Sequence, residues 1–78
     1  MIRELEIVAL TRDIVEHGLK MGDIGTVLHR YKDKRTFEVE FVSAEGETIT
    51  VITLTTDSIR QVTGKEILHV RKFELMAQ

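Results

Sequence analysis

Residues Thr36–Val42 read TFEVEFV, so Phe37, Val39 and Phe41 alternate with Glu38 and Glu40. Successive side chains of a strand point to opposite faces, so this order makes one dry face and one charged face. That is the pattern of an antiparallel strand covered on one side only. Ala44-Glu45-Gly46 follows, and Gly46 is free to take positive φ in a turn. Glu47–Thr55, ETITVITLT, then resumes the β pattern, and the two runs predict a hairpin. Valine, isoleucine and threonine make up 25 of the 78 residues, which extends the same preference to the whole chain.

Around this hairpin the rest of the chain supplies further strands. Glu4–Leu10 carries Leu5, Ile7, Val8 and Leu10 and predicts a strand. Thr11–Lys20 loses the pattern and reads as a loop. Gly25–Tyr31 is a further strand, with Lys32–Arg35 as its turn into Thr36. Asp57 and Ser58 can cap a single helical turn, expected over Asp57–Arg60. Glu66–Phe73, EILHVRKF, alternates passably and also tolerates a helix; the strand is favoured, because a short barrel needs a closing partner. Five short strands joined mostly by turns imply an all-β fold, a small five-stranded SH3-like barrel forming one domain over residues 1–78. Closure would answer the edge problem of a chain with no proline, and Glu38 and Glu40 would act as charged guards.

Several functions are excluded by what the chain lacks. Without cysteine it has no disulfide, no thiolate nucleophile and no cysteine-type zinc site. His17, His29 and His69 are far apart, with no second ligand at i+2 or i+4, so no metal site is expected. Ser43 and Ser58 are the only serines and stand in turn contexts, with no nucleophile elbow. A barrel this small leaves little interior volume for a substrate. The reading is therefore a non-enzyme with no cofactor. No apolar run approaches the roughly 18 residues of a membrane span, and the charged, alternating N-terminus is unlike a signal peptide. A cytoplasmic location, away from membranes, is expected.

The motifs Val8-Ala9-Leu10-Thr11-Arg12-Asp13 and His17-Gly18-Leu19-Lys20-Met21-Gly22-Asp23-Ile24-Gly25-Thr26-Val27 resemble the opening of a bacterial family catalogued as domain of unknown function 4926. Phe37-Glu38-Val39-Glu40-Phe41 and Glu45-Gly46 match its central strand and hairpin, so the resemblance covers roughly residues 4 to 73. It implies an SH3-like barrel and no particular activity. Its members' small uncharacterised gene neighbours imply an antitoxin- or immunity-like role. A looser similarity is to the KOW motif of NusG-type and ribosomal proteins, through Gly22-Asp23 and Gly25-Thr26-Val27. KOW modules carry basic residues around these glycines, whereas here Asp13, Glu16 and Asp23 surround them.

Two groups of residues stand out as candidates. Gly18, Gly22 and Gly25 lack the Lys-Ser/Thr of a P-loop and precede a strand, so with Gly46 they read as structural turn glycines, through positive φ or close approach at a barrel corner. Arg30, Lys32, Lys34 and Arg35 form one basic turn on a chain of net charge −2. They are the candidate partner-binding residues, for an acidic protein or, as the alternative, for a nucleic-acid backbone in a KOW-like manner. A basic face continuous with Gly22–Val27 would favour nucleic acid; an isolated basic turn would favour a protein. The apolar tail Ile67, Leu68, Val70, Phe73, Leu75 and Met76 adds the expectation of a homo-oligomer through the C-terminal segment.

Overall fold

A computed structural model describes residues 1–74 of the chain. It contains five strands: β1 (Ile7–Leu10), β2 (Ile24–Arg30), β3 (Thr36–Val42), β4 (Thr48–Thr55) and β5 (Ile59–Gln61). A 3-10 turn at Val15–His17 lies between β1 and β2. The strands form one antiparallel sheet in the order β4-β3-β2-β1-β5. In a flat sheet β4 and β5 would stand about 19 Å apart, four gaps of roughly 4.8 Å. The connection Thr56–Ser58 spans at most about 14 Å from Thr55 to Ile59. The sheet must therefore curl on itself, which brings its two outer strands to a shared corner.

The hairpin of β3 and β4 follows the alternation of its sequence. Phe37 faces Leu54, Val39 faces Ile52 and Phe41 faces Thr50. Phe37, Val39 and Phe41 are all buried, and with Val8, Leu10, Ile14, Leu19, Val27, Leu54 and Ile59 they form a single core. Ile14 and Leu19 reach it because the loop after β1 folds back: an Ile14↔Leu19 bridge encloses the 3-10 turn, and Gly18 closes it with φ of 69°. Gly22 and Gly46 also have positive φ. Gly25 does not belong with them. It lies inside β2, opposite Val8, against Val39 and Phe41.

Three expectations are corrected. The fifth strand is Ile59–Gln61, not Glu66–Phe73. Ile59 follows β4 by a three-residue turn, so it reaches the free edge of β1 and the core at a much smaller loop-closure cost than a segment further along. Asp57–Arg60 is accordingly a turn entering that strand and not a helical turn. Ser58 does not cap a helix; its buried hydroxyl accepts from Arg12 Nε at 2.8 Å. Glu38 and Glu40 guard no edge, since β3 lies between β2 and β4. Beyond Gln61 the described chain, residues 62–74, has no strand and no helix.

Candidate functional site

The basic turn sits at the tip of the β2–β3 hairpin and is held rigidly. Asp33 Oδ1 accepts from the backbone N–H of Arg35 and Thr36, and Oδ2 accepts from the Thr36 hydroxyl. The Arg35 and Thr36 amides and the Thr36 hydroxyl hold the Asp33 carboxyl below its ordinary value, so it stays charged. Lys34 takes φ of 62°, and its N–H donates to Tyr31 O. Lys32, Lys34 and Arg35 are exposed, and none makes an ion pair among the described residues. Arg30 differs from them. It is half-buried and donates to Ile2 O. The structure thus brings three of the four predicted residues together as a solvent-facing cluster and assigns Arg30 to the fold.

The cluster is isolated. Gly22-Asp23 lies at the other end of β2, about 20 Å away along a strand of this length. Between them, Thr26 is paired with Glu40 and His29 with Glu38. His29 Nδ1 stands 3.2 Å from Glu4 Oε2. One exposed ring adjoins the turn. Tyr31 packs edge-on against His29, and its hydroxyl donates to Glu38 at 2.6 Å, a bond that raises the Tyr31 pKa. Phe37 and Phe41 are in the core, so Tyr31 has no second exposed phenyl ring beside it to extend a stacking surface for bases. The three histidines do not converge, and no cluster of metal-ligating side chains occurs among the described residues.

A second feature lies at the opposite end of β2. A cleft of about 630 Å³ opens between Leu19, Ile24, Phe41 and Ile49 on one side and the tail residues His69, Val70, Arg71 and Phe73 on the other. Arg71 fastens the tail there. Its Nε donates to Asp23 Oδ1 at 2.8 Å, and its Nη2 donates to both Asp23 Oδ2 and Gly18 O. Asp23 also accepts from the Lys20 N–H. Burial pushes the Asp23 carboxyl up, but the Arg71 and Lys20 hydrogen bonds, with the Arg71 charge, outweigh it and hold the group below its ordinary value. The sequence reading missed this pair. Asp23 and Arg71 are 48 residues apart, and no local spacing links them.

The depressed Asp23 pKa makes a prediction. A group with a lowered folded pKa contributes stability that is fully present above its unfolded value, near 3.9, and is lost as pH falls through the folded value. Asp23→Asn is therefore expected to flatten the fall in melting temperature below about pH 4. Thermal melts at stepped pH check it, and parallel slopes for the two proteins would separate the clamp from acid unfolding.

A family model described as domain of unknown function (DUF4926) matches residues 4–61. The chain belongs to this family. No curated protein and no solved structure matches it. The DUF4926 match takes in the β2–β3 tip, the Gly22-Asp23 turn and all five strands. It stops at Gln61, so the Arg71 clamp joins a residue inside the DUF4926 match to a tail outside it. Among the described residues no helix is long and apolar enough to cross a membrane.

Proposed function

We propose that this DUF4926 chain is a non-enzymatic, SH3-like protein-binding module that docks an acidic protein through Lys32, Lys34 and Arg35. The observation that carries this is the isolation of three cations, without an ion pair among the described residues, on a turn ordered by Asp33. The turn is preorganised, so docking does not have to order it. Isolated charge suits a local acidic patch, whereas a nucleic-acid backbone rewards a continuous basic track. Within the family's setting the partner is the product of a neighbouring gene, in an antitoxin- or immunity-like pair.

Affinity capture from the native cell, with the intact chain as bait, tests this. The expected result is a stoichiometric protein that is lost with the double variant Lys32→Glu, Lys34→Glu, while the melting temperature stays within a few degrees of wild type. Capture of no stoichiometric protein would overturn the reading. A salt-dependent shift on RNA or DNA that the double variant abolishes would replace it with the KOW-like alternative.

A further inference from the structure

We propose that the domain self-associates by strand addition: the extended segment Ile67–Val70 of one copy lies along the open edge of β4 in a second copy. Two unsatisfied halves of a β ladder occur in the same chain. The first is β4. It is an outer strand of eight residues, TITVITLT, without charge or proline. Natural edges are normally blunted by charge, proline, bulges or shortness. The opposite edge, β5, is only three residues long. β4 has a bulge against Val42 at its start and no such protection along the rest of its length.

The second half is the tail. From Ile67 to Glu74 the described residues make no backbone–backbone hydrogen bond. Ile67, Leu68 and Val70 are 95 %, 54 % and 90 % exposed. These are strand-forming, apolar side chains with neither a ladder nor a cover. Within one copy the two halves adjoin only at the start of β4 and share no backbone hydrogen bond. Arg71 is fastened to Asp23 and Gly18, and Phe73 packs on the core, so the tail crosses the cleft beside Thr48 and Ile49.

Charge selects between two ways of pairing copies. β4 is flanked by Glu47 and Asp57, and the tail segment by Lys65-Glu66 and Arg71-Lys72. Glu66 is already paired with Arg60 and Arg71 with Asp23, which leaves Lys65 and the exposed Lys72, 3.7 Å from Glu74, as the cations the segment can present. Antiparallel pairing of β4 with β4 would set acidic ends against acidic ends, whereas the tail brings cations to them. When each copy gives its tail to the same partner from which it receives one, the assembly closes as a two-fold dimer.

Sedimentation of the full chain at several concentrations tests the proposal. Wild type is expected to pass from monomer to dimer as concentration rises. Ile67→Asp with Val70→Asp, at positions the fold does not bury, is expected to stay monomeric at every concentration. Val51→Lys with Thr53→Lys, on exposed positions of β4, is expected to do the same by repelling the basic tail. Mixing the two variants, one with an intact edge and the other with an intact tail, is expected to restore a dimer that neither forms alone. A monomeric wild type, a dimer that survives the tail substitutions, or a mixture that stays monomeric would each overturn the proposal. Lys32→Glu with Lys34→Glu is expected to leave the dimer in place, so this result and that for the acidic partner can fail separately.

Discussion

Phe37→Ala is expected to lower the unfolding free energy by about 3–5 kcal/mol in denaturant melts. Phe37 is 1 % exposed and is the largest fully buried side chain of the core. It is flanked by Arg30 on β2 and Leu54 on β4, near the end of the ladder at the β2–β3 tip. Alanine there removes most of a ring and leaves a cavity that the paired strands cannot collapse into. A 78-residue domain has a total stability on the order of 4–12 kcal/mol, so the loss takes a large share of it. The substitution is therefore expected to leave a substantial unfolded population near the melting range. Thr53→Ala, on the outer face of β4, serves as the surface comparison and is expected to cost far less. A loss below about 1 kcal/mol at Phe37 would mean that the ring is not a core residue, against the buried-aromatic range. It would also reopen the aromatic-platform reading that the burial of Phe37 and Phe41 closes.

That ring was legible from sequence because its pattern is local. Alternation over seven residues names the buried face of β3, and the turn at Ala44–Gly46 names its partner strand. Strands defined by such periodicity, β2, β3 and β4, lie within a residue or so of their expected limits. The reading failed where a choice depended on which segment reaches an edge first. Ile59-Arg60-Gln61 is too short to show a period, while Glu66–Phe73 shows one. Chain connectivity, not pattern, gives the edge of β1 to Ile59. The tail was read both as the closing strand and as an association patch; the periodicity of Glu66–Phe73 could not decide between them, because both need the same apolar side chains. Leu75 and Met76, part of the expected association patch, lie outside the described residues. The basic turn was visible as a run of charge, but the separation of Arg30 from its neighbours was not. It depends on Ile2, whose contact with the end of β2 no sequence pattern announces.

Gly25→Val is expected to destabilise the domain by about 1–3 kcal/mol, at the upper end of that range, through overpacking. Gly25 has no left-handed backbone to maintain; its constraint is space. A Cβ placed there would lie 2.6 Å from Val39 Cγ1, 2.9 Å from Phe41 Cε2 and 3.1 Å from Glu40 O. Val39 and Phe41 are core side chains with no solvent to rotate into. Glu40 is paired with Thr26 in the ladder, so its carbonyl is fixed as well. Valine adds two further carbons to an already impossible contact. Each kcal/mol shifts the melting temperature of a domain this size by about 4–8 °C, so thermal melts resolve the effect. Gly64 provides the control. A Cβ there meets nothing within 4 Å, and Gly64→Ala is expected to stay within about 0.5 kcal/mol of wild type. The cause can be isolated with Gly25→Ala and Val39→Ala. Removing Val39 Cγ1 takes away the nearest contact, so the double variant is expected to lose less stability than the two single losses combined. Strict additivity would acquit Val39 and leave the Phe41 ring and the Glu40 carbonyl as the walls that require glycine.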